Sequence, residues 1–350
     1  MLSVVRLRQT CAAVALVASG AASALPSIDL GPASAFSGFF FGNVNAASDV
    51  EGRLAVGGDL TSGFDIGYRN PLSSTAPSLV VGGSVNLKSQ WGGFSGSIYN
   101  GPNYETDTNA SIGPGPNIPW VSNGKTRAGD IVYGSTLVAN SWQYGSATKN
   151  ASFIDFASAK TQLSSLSQQL NLATPNGTVT AQGGNLLLTG DGTSNVQVFN
   201  LGDRASIGNL TLSNVKAGAH IIINSSASSI TFSGGVGGEL ARPAADDLLA
   251  LSRDRLVFNL SNAQQVDVRT FVNGSILAVG AAVTGSGHIE GTLVADSLSR
   301  GQNGTLELGY EYFTPYVSPV PEPQTAALLA AGLVGLGWLG RRRKQAQNQA

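Results

Sequence analysis

The sequence is poor in the residues on which most metal sites depend. Its 350 residues include one cysteine, Cys11, and two histidines, His220 and His288. A zinc site of the usual Cys/His kind needs four protein ligands, or three and a water molecule. This composition nearly excludes such a site, and we expect neither a metal ion nor a cofactor.

Charge is also scarce. Charged residues make up 12% of the chain and hydrophobic residues 42%, whereas an average globular domain has about 25% charged residues. Disorder normally requires high charge and few apolar residues, so this chain should fold. Residues 25–320 hold 14 basic and 20 acidic residues. An acidic body without a basic patch disfavours nucleic-acid binding.

The N-terminus has the three parts of a secretory signal peptide, which we assign to residues 1–24. Arg6 and Arg8 precede an apolar run, and Ala22-Ser23-Ala24 forms an A-x-A cleavage site. The alternative is a buried N-terminal helix. Cleavage after Ala24, with Ala22 and Ala24 recognised, removes the only cysteine, so the exported body would fold without disulfides.

The C-terminus has a second candidate targeting signal. Pro321, Glu322 and Pro323 precede the uncharged stretch 324–340. Those residues are just numerous enough to cross a bilayer, and the basic residues after them should stay on the cytoplasmic side. We therefore predict a single transmembrane helix, for which a plain C-terminal anchor is the simpler alternative. The basic cluster consists of Arg341, Arg342, Arg343 and Lys344.

A Pro-Glu-Pro tripeptide followed by a short span and an arginine cluster resembles the PEP-CTERM sorting signal, here covering residues 319–345. The resemblance implies that exosortase, a membrane-embedded processing enzyme of exopolysaccharide-producing Gram-negative bacteria, acts on this chain together with the secretion machinery. It implies a transient anchor in the inner membrane. The final location would be the cell envelope, the cell surface or the extracellular matrix.

Residues 25–318 are predicted to form one β-rich domain. Short apolar runs alternate with clusters of Gly, Asn, Ser and Asp, which is typical of many short strands joined by turns. Such spacing fits a sandwich or a β-solenoid. A repeated design of strand, Gly corner and strand favours the solenoid, so we predict an all-β, right-handed β-helix. The predicted strands include 53–57, 79–87, 130–139, 185–189, 196–201, 209–215, 220–224, 229–232, 255–260, 274–279 and 288–295.

Two segments depart from the β pattern. Residues 152–170 place apolar side chains at helical spacing, which predicts an amphipathic helix docked on the β body. A second, shorter helix is predicted from Pro243 to Leu251, with acidic residues in its first turn. The side chains expected to dock the first helix are Phe153, Phe156, Leu163 and Leu166.

The body also resembles the choice-of-anchor A domain. The opening motifs are LGPASAFSGFFFG at 30–42 and DVEGRLAVGGD at 49–59, and the closing ones are VFNLSN at 257–262, NGSILA at 273–278 and VTGSGHIEGTLVA at 283–295. The chain departs from the family pattern at Ala278-Val279-Gly280, because in the family Pro and Asn commonly follow the Leu-Ala pair. The resemblance spans about residues 28–312 and implies a surface adhesin. The closing motif also resembles the last coils of bacterial ice-binding β-helices, which carry a helix beside the solenoid.

Acidic residues are the first candidates for catalysis, because a glycosidase needs two carboxyl groups about 5 Å apart or somewhat more. Asp246 and Asp247 are adjacent, but a helix start accounts for them. Asp49 and Glu51, two apart on a strand, could face one way. An ion pair between Glu51 and Arg53 is the simpler interpretation.

Other chemistry is weakly represented. His288 and Glu290 could form an acid/base pair, although a hydrogen-bonded surface pair is the simpler interpretation. No nucleophile elbow or phosphate-binding loop accompanies them. The segment 190–195 could supply oxygen ligands to Ca²⁺, but it lacks the alternating acidic residues of a calcium loop and is better interpreted as a turn. We expect no enzymatic activity.

Aromatic residues of the segment 91–145 are the best candidates for ligand contact. Interleaved with Gly, Asn, Pro and Ser, they could stack on sugar rings. The alternative is that they cap the solenoid or pack its long loops. The candidate glycan contacts are Trp91, Tyr99, Tyr104, Trp120 and Trp142.

Together these features predict an exported adhesin that binds exopolysaccharide or another surface ligand. The first alternative is a polysaccharide lyase or hydrolase on a β-helix scaffold. The second is an ice-binding protein, which would need a flat, regular, Thr-rich stripe. Thr178, Thr180 and Thr211 are too sparse to form one.

Overall fold

Parallel pairing of short strands dominates the structure. The computed structural model describes residues 27–71, 73–89, 92–100, 128–238 and 243–318, and Gly332. Pro26–Val317 is one compact unit, and the two chain termini lie outside it. The described residues are mostly β-sheet with few helices, as the composition and turn pattern predicted.

The elements are numbered in chain order. The strands are β1 (Gly38–Phe40), β2 (Asp49–Val50), β3 (Leu54–Val56), β4 (Asp65–Ile66), β5 (Leu79–Val81), β6 (Val85–Asn86), β7 (Ile131–Tyr133), β8 (Leu137–Val138), β9 (Ala147–Lys149), β10 (Thr178–Gln182), β11 (Asn185–Thr189), β12 (Val196–Asn200), β13 (Ser206–Ile207), β14 (Leu210–Ser213), β15 (His220–Ser225), β16 (Ser229–Phe232), β17 (Leu256–Leu260), β18 (Gln265–Val268), β19 (Phe271–Asn273), β20 (Ser275–Gly285), β21 (His288–Glu290), β22 (Leu293–Leu298) and β23 (Glu307–Leu308). The α-helices are α1 (Phe156–Asn171) and α2 (Leu248–Leu251), and Gly31–Ala35 and Arg253–Arg255 are 3-10 turns.

The largest sheet runs in the order β12-β15-β17-β20-β22-β1-β3-β5-β7-β9, and every pair along it is parallel. The register stacks like on like: Leu54 lies beside Leu79, which lies beside Ile131. Each of these side chains is buried. Stacked apolar residues on successive strands therefore form the core.

The order of this sheet departs from the order of the chain at one place. The C-terminal strand β22 pairs with the N-terminal strand β1, with Phe39 beside Val294. On a second sheet, of order β19-β21-β23-β2-β4, the C-terminal strand β23 pairs with β2, with Val50 beside Leu308. We call these two pairings the seam. A methyl group at Gly38 would lie 2.7 Å from the Phe40 ring and 2.8 Å from Leu308 Cδ1, so a side chain there would force these buried side chains to shift.

Helix α1 begins four residues later than predicted. The Asp155 carboxylate accepts a hydrogen bond from the backbone N–H of Ser158 at 2.9 Å, so Asp155 is the N-cap. The helix contacts β15, β17 and β20. Its Ser167 hydroxyl donates to Asn259 Oδ1 at 2.6 Å, which adds a buried polar contact to the apolar packing.

Three of the four predicted docking residues do face the β body. Leu163 and Leu166 are buried, and the Phe156 ring lies 5.3 Å from that of Phe39. Docking by Phe153 was wrong, because this residue precedes the N-cap and 46% of its surface is exposed.

The second predicted helix was too long. Helix α2 has four residues because Asp247, expected inside the first turn, is the N-cap and accepts a hydrogen bond from Ala250 N. The Asp247 carboxylate also accepts from the backbone N–H of Gly238 at 2.7 Å. This residue therefore ends the preceding loop as well as starting the helix.

Glycine corners divide several of the predicted strands. The range 79–87 becomes β5 and β6, 130–139 becomes β7 and β8, and 288–295 becomes β21 and β22. At the first corner, a side chain on Gly82 would lie 2.6 Å from the carbonyl oxygen of Gly57 on the neighbouring strand. The predicted ranges 185–189 and 229–232 coincide with β11 and β16.

Among the described residues, no helix combines the length and the apolar character needed to cross a bilayer. The predicted span 324–340 lies outside them except for Gly332. It therefore stays a prediction.

Docking of α1 yields a stability prediction. Leu163→Ala should lower the free energy of unfolding by about 2–5 kcal/mol, because it opens a cavity under a side chain with 0% exposure. Leu172→Ala is the matched control, since Leu172 follows the helix and is 82% exposed. It should change stability by less than about 0.5 kcal/mol. Urea unfolding of the full chain measures both, and equal losses would contradict the docked helix.

Candidate functional site

Charged residues that are distant in sequence meet on the second sheet. Its register places His288 beside Glu307 and Asp49 beside Asp65, and β23 lies beside β2. Two residues further along these strands, Glu290 and Glu51 lie on either side of Gly309, on the same face of the sheet. We call this group the seam cluster: Asp49, Glu51, Tyr68, Arg69, His288, Glu290 and Glu307.

Arg69 joins the two halves of the chain within this cluster. Its Nη1 donates to Glu51 Oε2 and lies 3.7 Å from Glu290 Oε1. The side chains of all three residues are less than 10% exposed. Burial would lower the pKa of Arg69, but the carboxylates of Glu51 and Glu290 raise it above its ordinary value.

The predicted ion pair between Glu51 and Arg53 was wrong. The Arg53 Nε donates instead to the carbonyl oxygen of Pro77 at 2.8 Å, and its guanidinium lies over the Phe36 ring, 4.4 Å from the centroid. Arg69 is the partner of Glu51 because β4 lies parallel to β2, and just after β4 the backbone N–H of Arg69 donates to the carbonyl oxygen of Glu51 at 2.9 Å.

The Tyr68 hydroxyl lies between two carboxyl groups, 2.9 Å from Asp49 Oδ2 and 3.2 Å from Glu51 Oε1. Burial, followed by the charge of Glu307, raises the pKa of Asp49 to about 6. Burial also raises the pKa of Glu51, although the neighbouring Arg69 opposes that effect. Asp49 and Glu51 do face one way, as their spacing allowed.

His288 lies between two further carboxylates. Its Nδ1 is 3.3 Å from Glu307 Oε1 and its Nε2 is 3.5 Å from Glu290 Oε1. Burial would lower the pKa of His288, but these carboxylates raise it to about 10. Burial would raise the pKa of Glu290, but His288 and then Arg69 hold it below its usual value. His288 and Glu290 therefore form an ion pair, more buried than the surface pair the sequence suggested.

Several polar atoms of the cluster lack hydrogen-bond partners among the described residues, including Asp49 Oδ1, His288 Nε2 and Glu290 Oε2. Gly309 leaves open the space beside two of them. A methyl group at that position would collide with Glu290 Oε2 and lie 2.9 Å from His288 Nε2. Ligand atoms of Glu51, His288 and Glu290 lie within 4.8 Å of one another, so these three residues could hold a metal ion.

A second candidate surface is a ladder of short polar side chains on a different set of strands. Buried residues such as Val44, Leu60, Val85, Val266 and Val283 alternate there with exposed or half-buried neighbours. Strand pairs and bridges align these neighbours in two rows, which we call the polar face. One row is Thr231, Asp267, Thr284, Ser299, Asn45, Thr61 and Asn86, beyond which lies the apolar Val138. The other is Ser229, Gln265, Ser297, Asn43, Asp59, Ser84 and Thr136, and it is interrupted by the apolar Ala282 between Gln265 and Ser297.

Hydrogen bonds link neighbouring members of the polar face. Thr61 Oγ1 donates to Asn45 Oδ1 at 2.8 Å, and Thr284 Oγ1 lies 3.4 Å from Asp267 Oδ1. Asp59 Oδ1 accepts from the backbone N–H of Ser84 at 2.7 Å. These contacts run between strands, so they hold the side chains in register.

The predicted glycan contacts are only partly described. Tyr99 is half-buried and Trp142 is 57% exposed. A hydrogen bond from Ile98 N to Gln143 O at 2.7 Å places their backbone segments side by side. Trp91, Tyr104 and Trp120 lie outside the described residues, as do Ala22, Ala24, Pro321, Glu322, Pro323, Arg341, Arg342 and Arg343.

The segment 190–195 forms the turn that the sequence favoured. Its Asp191 carboxylate accepts from the backbone N–H groups of Thr193 and Ser194 at 2.9 Å each. The hydroxyl of Ser194, which also donates to this carboxylate, and then these backbone groups lower the pKa of Asp191. The carboxylate therefore has partners in its own turn.

Residues 29–308 match the family model described as "Putative Ice-binding-like adhesive domain". The chain belongs to this family. Residues 319–344 match the PEP-CTERM protein-sorting motif. The protein is therefore an exported surface adhesin with an exosortase sorting signal, which implies export to the cell envelope of a Gram-negative bacterium.

Other comparisons add little. The structure is similar to the crystal structure of an ice-binding protein from the Antarctic ascomycete Antarctomyces psychrotrophicus, at 14% identity and a TM-score of 0.36. The match covers 81% of this chain and 98% of that one. No curated protein matches the adhesin.

The buried ion pairs of the seam cluster yield a second prediction. Arg69→Met should lower the free energy of unfolding of the adhesin by about 3–5 kcal/mol, because it leaves buried carboxylates without their cation. Arg269→Met is the control: Arg269 pairs with Asp267 at 2.5 Å, but its side chain is 50% exposed. That change should cost at most about 1 kcal/mol. Urea unfolding compares them, and a cost for Arg69→Met no larger than the control's would show that Arg69 does not stabilise the seam.

Proposed function

We propose that this adhesin is a non-catalytic β-solenoid that binds a matrix polymer, such as exopolysaccharide, through the polar face. One observation carries the proposal: two rows of short polar side chains recur from strand to strand. Neighbouring strands are about 4.8 Å apart, so the rows offer hydrogen-bonding groups at a regular interval, which is interrupted at Ala282. A polymer with repeating hydroxyl groups can use several of them at once, which raises its overall affinity.

The solenoid interpretation rests on the parallel registers. Each strand of the largest sheet lies beside a strand from another turn of the chain, and glycine corners such as Gly82 separate consecutive strands. The helix α1 beside the sheets supports the proposal, because the resemblance to ice-binding β-helices implied such a helix. We retain that finer family name, and the right-handed sense of the helix, as part of the proposal.

The absence of catalysis is supported by how the seam cluster is used. Asp49 and Glu51 share the Tyr68 hydroxyl, and Glu51 and Glu290 share Arg69. These carboxyl groups therefore share hydrogen-bonding and ion-pair partners, and they lie at the buried seam. A hydrolase or lyase would need an acid and a base open to a bound polymer.

Composition of the polar face favours a glycan over ice. Its four threonines, Thr61, Thr136, Thr231 and Thr284, are divided between two rows and separated by Asn, Asp and Ser. Amide and carboxylate groups are suited to hydrogen bonds with sugar hydroxyls. Ice binding remains the alternative that the same experiment distinguishes.

The third prediction tests the face. When the full chain is incubated with exopolysaccharide from the producing organism, it should bind without shortening the polymer. Thr61→Arg should weaken binding at least about tenfold, a loss of about 1.4 kcal/mol, because a long charged side chain blocks the ladder. Thr180→Arg, on exposed strand β10 outside the polar face, is the matched control and should bind normally.

Co-sedimentation measures binding, and size-exclusion chromatography of the polymer measures cleavage. Shortened polymer would favour the enzyme. Inhibition of ice recrystallisation that Thr61→Arg abolishes would favour ice. Equal binding by both variants would show that the ligand contacts another surface, of which the predicted aromatic residues Tyr99 and Trp142 are the first to test.

The fourth prediction concerns processing. Replacing Pro321, Glu322 and Pro323 by Ala should leave the body folded but trap the protein in the inner membrane with its tail intact. The prolines cannot continue a helix, because they lack an amide donor, so they should leave an extended segment open to exosortase. Val317→Ala, just before the motif and 78% exposed, is the control.

Cell fractionation and mass spectrometry of both termini provide the measurement. Recovery of the triple variant processed and released at wild-type level would leave residues 324–344 as a simple anchor.

A further inference from the structure

The gap beside Gly309 is bordered by two ligand atoms without hydrogen-bond partners. Glu290 Oε2 and His288 Nε2 both lie within 3 Å of the point that a methyl group on Gly309 would occupy. Neither atom has a hydrogen-bond partner among the described residues, although Nε2 lies 3.5 Å from Glu290 Oε1 in the ion pair, and the Glu290 side chain is 95% buried. Leaving a buried carboxylate oxygen unpaired is costly, so this space is suited to a ligand that satisfies it.

The third donor comes from the other side of the seam. A carboxylate oxygen of Glu51 completes a group whose ligand atoms lie within 4.8 Å of one another. Arg69 holds Glu51 Oε2 and faces Glu290 Oε1, which leaves Glu290 Oε2 on the side of the gap. One imidazole and two carboxylates suit a divalent transition-metal ion.

Glu307 supplies the support that a metal-binding histidine usually has. Its Oε1 is 3.3 Å from His288 Nδ1, so the carboxylate orients the ring and leaves Nε2 toward the gap. The side chains of His288 and Glu307 are 19% and 34% exposed, so this side of the cluster is the nearer to solvent, although Nε2 itself is buried. A bound ion would displace a proton from Nε2, as metal binding to histidine does.

We propose that the seam cluster is a binding site for a divalent transition-metal ion such as Zn²⁺, with Glu51, His288 and Glu290 as ligands and Glu307 positioning the histidine. Glu51 belongs to the N-terminal half of the adhesin and the other two ligands to the C-terminal half. The ion therefore cross-links the seam. This site does not depend on the polar face or on the ligand bound there.

The experiment uses the full chain after treatment with a chelator. Isothermal titration with Zn²⁺ should show one ion bound per chain, and the ion should raise the melting temperature, because it binds only the folded state. His288→Gln should abolish the rise in melting temperature. Glu307→Gln, which removes no ligand, should weaken Zn²⁺ binding by about 10–100-fold.

Asp65→Asn is the matched control. Asp65 lies in the same row as His288, Glu307 and Asp49, and the change removes one negative charge, but Asp65 is not a ligand. Its variant should bind Zn²⁺ within about twofold of the wild type if coordination, rather than the overall charge of the row, holds the ion. If His288→Gln does not fold, the Zn²⁺ affinities of Glu307→Gln and Asp65→Asn still test the proposal.

Three outcomes overturn the proposal. They are the failure of the wild type to bind Zn²⁺, unchanged binding by His288→Gln, and equal losses in Glu307→Gln and Asp65→Asn.

Discussion

The fold depends on the direct pairing of its N-terminal strands with its C-terminal strands. Without β1 beside β22 and β2 beside β23, the largest sheet would end at β22 on one side and begin at β1 on the other, with apolar edges open to water. The chain must connect these partners across most of its length. Contacts so distant in sequence form slowly. Closing the long loop between the partners costs conformational entropy before the contacts can stabilise the chain. We expect the seam to be the last part of the adhesin to assemble.

The buried charged residues lie at the seam, where the two halves of the chain pair. Charged residues are only 12% of the chain, yet several of them are buried together where the two halves meet. A buried ion pair adds little net stability, since desolvation offsets its attraction, but an unpaired buried charge is expensive. A strand slipped by one residue would turn Glu51 or Glu290 toward the apolar core. The cluster thus penalises a one-residue slip, and a metal ion bound there would strengthen the same selection.

Different surfaces of the adhesin serve for internal packing and for the proposed ligand binding. The helix α1 contacts β15, β17 and β20, but Ala282 and Thr284, the members of the polar face on β20, are exposed and half-buried. Its outward side chains are short, so the face is even, and its inward ones are fully buried aliphatic residues. The seam cluster lies on a different sheet from the polar face. The charged residues that stabilise the seam are therefore separate from the residues proposed to contact the ligand.

Short-range patterns and contiguous motifs are enough for the local features: β11, β16, the apolar face of α1, the sorting motif and the adhesive class of the domain all follow from them. These patterns failed at element boundaries, as when the helix predicted from residue 152 began only after Asp155, its N-cap. Only the tertiary structure paired Glu51 with Arg69 instead of Arg53, brought His288 and Glu290 to them, and aligned Thr61, Thr231 and Thr284 in one row. These contacts join separate strands, and the register between strands depends on the packing of the whole core, which short-range spacing does not encode.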